Sequence, residues 1–149
     1  MMVCTDIGQS AAVVSITHYG GDEEMNVMIV EDEYFIAMDL QAIAESEGHH
    51  SLGPLSTAEQ ALAYAHKADI ALVDLKLADG PTGSVLGRKL IDRFGLEVIY
   101  VTAIPEIGTG LEGACEIVAK PFAPEQISAA IKRAANRHAK RGDRIRLVH

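Results

Sequence analysis

Five polar residues each close a short apolar run in this 149-residue chain. Glu31 and Asp32 follow Val27-Met28-Ile29-Val30, and Asp74 follows Ile70-Ala71-Leu72-Val73. Thr102 follows Val98-Ile99-Tyr100-Val101, and Lys120 follows Ile117-Val118-Ala119. If the runs end side by side, three carboxylates meet. At about 4 Å and an effective dielectric near 20, each pair repels by roughly 4 kcal/mol, so the cluster needs positive charge within it. A hard divalent cation with oxygen ligands answers that need, and Mg2+ is the expected one. Lys120 adds a second cationic point and Thr102 a hydroxyl donor. Metal, ammonium and hydroxyl around one carboxylate make a seat for a phosphoryl group, whose equatorial oxygens they neutralise. Asp74 is the natural nucleophile there, giving an aspartyl phosphate. The backbone amide of Ala103 is placed to donate to the same oxygens. Any one of these residues alone reads as a strand end facing solvent; five at corresponding ends do not.

The elements that must bring them together follow from periodicity. The run 27–30 is apolar throughout, which suits a strand covered on both faces. Residues 34–47 carry Ile36, Leu40, Ile43 and Ala44 at helical spacing, and Gly48 ends that helix. Phe35 is expected in the core, and Tyr34 at the rim of the acidic cluster. Residues 49–55 form a weak second strand, with His49 and His50 expected in solvent. Ser56-Thr57-Ala58-Glu59 reads as a capping box for a helix to about residue 66. Residues 70–73 and 98–101 are the third and fourth strands, and 84–94 is a helix closed by Gly95. The segment 117–119 is a short fifth strand, and Pro124 suits the first position of a last helix with Ile127 and Ile131 inward. Asp79-Gly80 signals a turn that Pro81 stiffens, so Asp79 is expected to serve the turn. Strands alternating with helices imply right-handed crossovers and a parallel sheet with helices on both faces. Ligands of such sheets sit at the carboxyl ends of the strands.

Composition bounds the class. The chain is 48% hydrophobic and 23% charged, which is globular, and its length suits one domain with tails. No apolar run is long enough to span a membrane. The first 24 residues hold no Lys or Arg, so a secretory signal with a basic head is not expected. Cys4 and Cys115 lie far apart, without metal-ligand spacing or a disulfide framework, and a reducing, cytoplasmic setting is expected. Net charge is −8: residues 1–66 carry −11 and the rest +3. That sign argues against sequence-blind nucleic-acid binding. Arg137, Lys140, Arg141, Arg144 and Arg146 gather at the end, as a solvated helix end would. The expected division is an N-terminal extension at 1–24, a domain at 25–138 and a basic C-terminal tail at 139–149. Val13, Val14 and Ile16 order the extension only if an edge receives them.

Val30-Glu31-Asp32-Glu33, Val73-Asp74-Leu75, Val101-Thr102-Ala103 and Ala119-Lys120-Pro121-Phe122 together resemble the receiver domain of two-component response regulators. The resemblance covers about residues 27–138. It implies a flavodoxin-like, doubly wound α/β fold with a five-stranded parallel sheet in the order 2-1-3-4-5. It implies that Asp74 accepts a phosphoryl group from a sensor histidine kinase or phosphotransfer protein. By the same resemblance Asp32 ligates Mg2+ directly, Glu31 directly or through water, and the Lys76 backbone carbonyl completes the set. Thr102 is then the switch hydroxyl and Lys120 the phosphate-sensing lysine, with a cis Lys120–Pro121 bond. The loop 74–83 resembles receivers of alphaproteobacterial stress and light-response systems.

Two departures bear on output. Ile117 stands where the family usually has Tyr or Phe, so the usual aromatic rotation on phosphorylation has no counterpart. The 17 residues between Thr102 and Lys120 include Pro105, Gly108, Gly110 and Gly113. At about 1 kcal/mol per Gly relative to Ala, the helix expected there is short, distorted or mobile. The eleven residues after His138 are not expected to hold an output domain, so either the chain is a piece of a longer regulator or signalling is expected through an unidentified output protein, a homodimer or a sink role for its kinase. The alternative is a pseudo-receiver, an interaction module independent of phosphorylation. A phosphohydrolase of the aspartyl-phosphate type needs an acid two residues after the nucleophile, and Lys76 stands there.

Overall fold

Residues 23–103 and 115–148 are described by a computed structural model of the chain. A strand with no polar alternation has to sit between two layers, and β1 (Asn26–Val30) does: Val27 to Val30 are wholly buried. The other strands are β2 (His50–Leu55), β3 (Ile70–Val73), β4 (Glu97–Thr102) and β5 (Cys115–Ala119). All pair in parallel, in the order β2-β1-β3-β4-β5. The helices are α1 (Tyr34–Ser46), α2 (Ala58–Tyr64), α3 (Gly83–Phe94) and α4 (Pro124–Val148), and a 3-10 turn (Ala65–Lys67) closes α2.

Alternate residues of each inner strand feed opposite layers. Val27, Ile29, Ile70, Leu72, Ile99 and Val101 pack against Leu40 and Ala44 of α1 and against Ile127 and Ile131 of α4. Met28, Val30, Ala71, Val73, Val98 and Tyr100 pack against Ala61 of α2 and against Leu86 and Leu90 of α3. The sheet is therefore doubly wound, as expected, and its carboxyl edge opens between the layers. The Lys120–Pro121 bond is cis, and so is Gly53–Pro54, which nothing in the sequence reading anticipated.

Four local expectations need correction. Phe35 is 82% exposed and stacks edge-on against the exposed Tyr34. The buried face of α1 is Ala37, Leu40 and Ala44, and Phe35 lies two residues, roughly 200°, around the helix from Ala37. His49 is buried, and its Nδ1 accepts the Met25 N–H at 3.0 Å; only His50 faces solvent. Burial holds the His49 imidazole below its ordinary pKa, against the pull of Glu47, Glu24 and Asp69. The cap of α2 lies one residue later than expected: Thr57 Oγ1 accepts the Gln60 N–H at 3.1 Å, and the Gln60 side chain accepts the Ser56 N–H at 2.8 Å. The segment 139–148, expected as a tail, continues α4. The side chains of Arg144 and Arg146, the extension through residue 22 and the glycine-rich segment 104–114 lie outside the described residues.

Candidate functional site

The carboxyl edge of the sheet carries the site because β1, β3, β4 and β5 all end there in register. Val30 pairs with Val73, Val73 with Tyr100, and Thr102 with Ala119. The polar residue after each run is thus delivered to one place. A cleft of about 260 Å³ is lined by Asp32, Glu33, Asp74, Lys76, Thr102, Ala103 and Lys120. Of the residues singled out in the sequence only Glu31 is not in its wall; it lies beneath, 2% exposed.

Lys120 is the hub. Its Nζ is 2.8 Å from Glu31 Oε1, 2.9 Å from Asp74 Oδ2 and 3.2 Å from Glu33 Oε1. The strand bond Lys120 N–H to Thr102 O, at 2.9 Å, fixes the root of that side chain beside β4. Burial works against the ammonium, yet the close carboxylates of Glu31 and Asp74 hold its pKa above the ordinary lysine value. Lys120 is a permanent cation here. Glu33 was not among the residues singled out from the sequence. The signal was present in the unbroken acidic run 31–33, of which only two members were read as chemical.

Glu31, Asp32 and Asp74 each offer a carboxylate oxygen, all within 4.8 Å of one another. Burial pushes the Glu31 carboxyl up to about 7; the Lys120 ammonium and the Glu33 amide pull the other way, and the Asp74 charge adds to the rise. Glu31 Oε2 accepts the Glu33 N–H at 3.1 Å. Glu31 Oε1 is buried and meets Lys120 without hydrogen-bond geometry to any group among the described residues. Three acids and an under-satisfied buried oxygen facing one lysine suit a hard cation with oxygen ligands, so the residues present fit Mg2+.

The loop after β3 is built to hold Asp74. The Asp74 N–H donates to Val30 O at 3.0 Å, and the Lys76 N–H reaches Asp74 Oδ1 at 3.4 Å. Gly83, the first residue of α3, donates its N–H to Leu75 O at 3.0 Å. A Cβ on Gly83 would stand 2.1 Å from Asp74 O, so only glycine permits this approach. Asp79 serves a turn, as expected, and also reaches another element: Oδ1 accepts from the Thr82 hydroxyl at 2.8 Å and Oδ2 from the Ala58 N–H at 3.1 Å. Ile117 is 40% exposed on β5.

Comparison with known proteins agrees with the fold and gives the family. The family model of the response regulator receiver domain matches residues 27–132. The phyllosphere-induced regulator PhyR of Methylorubrum extorquens is 38% identical over 119 residues, covering 76% of this chain and 44% of that protein. The crystal structure of the response regulator PhyR from Brucella abortus superposes with a TM-score of 0.77 at 30% identity, over 97% of this chain and 62% of that one. The solution structure of the Erythrobacter litoralis PhyR receiver domain gives 0.70 at 34% identity, over 77% of this chain and 92% of that one. The chain spans about half the length of the curated relatives it matches.

Proposed function

The chain belongs to the response regulator receiver domain family of two-component systems, and from that premise we propose that it accepts a phosphoryl group on Asp74 and signals by protein contact. The donor in this reading is a phosphohistidine of a histidine kinase or phosphotransfer protein. The observation that carries it is the convergence on Asp74: Lys120 at 2.9 Å, with Glu31 and Asp32 gathered within 4.8 Å.

Mg2+, when bound by Glu31, Asp32, Asp74 and the Lys76 carbonyl, supplies the positive charge that offsets the carboxylates and the incoming phosphoryl oxygens. Asp74 supplies the nucleophilic oxygen. Its attack forms an O–P bond as the N–P bond of the donor breaks, and the electron pair returns to the imidazole nitrogen. Lys120, a permanent cation already in contact with Asp74, turns to the phosphoryl oxygens as they arrive. The Thr102 hydroxyl and the Ala103 amide donate to the remaining oxygens. Self-phosphotransfer and loss of the group to water are the only chemistry this reading requires. With two cysteines and no membrane-spanning helix among the described residues, the proposed setting is the cytoplasm.

The test is intact mass after incubation with Mg2+ and a small phosphodonor. One phosphoryl adduct is expected, dependent on Mg2+ and absent from Asp74→Asn. No adduct under conditions that label other receivers would overturn the reading in favour of a phosphorylation-independent interaction module.

A further inference from the structure

We propose that Asp79 is a positioning residue for the phosphoacceptor loop, fastening the loop that carries Asp74 and Lys76 to the start of α2. The proposal rests on the phosphoacceptor reading above.

The loop is held differently at its two ends. Its inner end is rigid, through the Gly83 N–H to Leu75 O bond and the close seat of Gly83 on the Asp74 carbonyl. Its outer end is a narrow hairpin, with Leu77 N–H to Gly80 O at 2.9 Å and Gly80 N–H to Leu77 O at 3.0 Å. Ala78, Asp79 and Pro81 there are exposed, while Leu77 is buried in the core, so the tip beyond Leu77 is held by hydrogen bonds rather than by apolar packing. Two hydrogen bonds tie this hairpin to the start of α2 and the residue before its cap: Ala78 N–H to Ser56 O at 2.9 Å, and Ala58 N–H to Asp79 Oδ2 at 3.1 Å.

Asp79 joins three elements through one carboxylate. Thr82 is the N-cap of α3, yet its hydroxyl caps nothing in that helix and donates to Asp79 Oδ1. On the other side, α2 already has a cap in Thr57, so Asp79 is a second acceptor at that helix start. The Asp79 bond therefore adds more to the loop than to the helix. Slack in the hairpin passes along three residues to Lys76, whose carbonyl is a proposed metal ligand, and outer partners of metal ligands act by such orientation.

The chemistry makes the test sharp. Alanine removes both bonds. Asparagine keeps both, since its oxygen accepts from Ala58 and its amide donates to the Thr82 hydroxyl, but it removes the charge. Mg2+ binding is measured by titration calorimetry on the full chain for wild type, Asp79→Ala, Asp79→Asn and Thr57→Ala, with amide exchange at Leu77, Ala78 and Gly80 in metal-free protein. Asp79→Ala is expected to bind Mg2+ about tenfold more weakly, with faster exchange in the hairpin. Asp79→Asn should stay close to wild type. Thr57→Ala should lower Tm through the lost cap and leave Mg2+ affinity unchanged. The proposal is overturned if Asp79→Ala binds like wild type, if asparagine is as weak as alanine, or if Thr57→Ala is equally weak. A wild type that binds no Mg2+ sinks the metal reading instead. The exchange data then decide the latch, and unchanged hairpin protection in Asp79→Ala would refute it.

Discussion

Gly83 decides how closely α3 approaches the strand that carries Asp74. Its would-be Cβ meets backbone atoms, Asp74 O at 2.1 Å and Leu75 Cα at 2.5 Å, which cannot rotate away. Alanine usually favours a helix over glycine by about 1 kcal/mol, an advantage smaller still at the first helical residue. Overpacking against backbone costs typically 1–3 kcal/mol, so it wins. Gly83→Ala is expected to lower stability by about 1–3 kcal/mol, read as a lower urea midpoint. An unchanged or higher midpoint would mean that α3 slides at no cost. The five residues of the site were legible one by one, because each stands where an apolar run stops. Their separate environments were not. Glu31 is buried and raised to about 7, whereas Asp32 beside it in the chain is exposed. Adjacent side chains at a strand end point to different surroundings, and sequence order alone does not say which one is covered.

The last helix is longer than the domain it closes needs, and an ionic ladder holds it. Arg133, Arg137 and Arg141 recur every four residues and so share one face. Arg133 and Arg137 bond Glu116 of β5, with a shortest approach of 2.7 Å. Arg137 and Arg141 bond the buried Glu97 of β4, both at 2.7 Å, and Arg141 also donates to Gly95 O. Two of the basic residues read as a solvated end, Arg137 and Arg141, are therefore paired with acids of the sheet while their side chains stay partly exposed. Burial works to raise the Glu116 carboxyl, but hydrogen bonds from Arg133 and Arg137 hold it below its ordinary value. The unfolded chain then binds the proton first. The contribution of Glu116 is fully present above its unfolded pKa of about 4.5 and is lost as pH falls through the lower folded value. Wild type should exceed Glu116→Gln in urea midpoint at pH 6, with the gap closing toward pH 3. A gap that persists at pH 3 would show that the ladder does not act through the ionised carboxylate.

The two edges of the sheet divide the labour. The carboxyl edge gathers the candidate site, while the opposite edge is closed by polar contacts at the strand starts. There the Asn26 N–H donates to Asp69 at 2.9 Å, and the buried His49 receives the Met25 N–H. Because burial depresses the His49 pKa below 6.5, the unfolded chain again protonates first. Stability is complete above about pH 6.5 and declines as pH falls toward the folded value. Thermal unfolding between pH 7.5 and 5.5 should show Tm falling by roughly a few degrees. His49→Asn, which can accept the same bond without titrating, should flatten that slope. An unchanged slope in the variant would assign the pH dependence to other groups.

Local sequence by itself determined the elements, because a buried four-residue strand, a helical apolar stripe and a glycine stop are written in residues adjacent in the chain. It also determined the candidate chemistry, since three carboxylates, a hydroxyl and a lysine at run ends admit few uses. The strand order was legible only through the resemblance of the combined motifs, not from periodicity. Tertiary structure alone decided what covers each residue. Phe35 is exposed because the face of α1 set by Ala37, Leu40 and Ala44 turns it outward. Glu33 meets Lys120 across 87 residues of chain, and Asp79 meets the start of α2 across 21. Such contacts depend on which elements become neighbours, and that is fixed by packing two apolar layers onto one twisted sheet rather than by the spacing within any one segment.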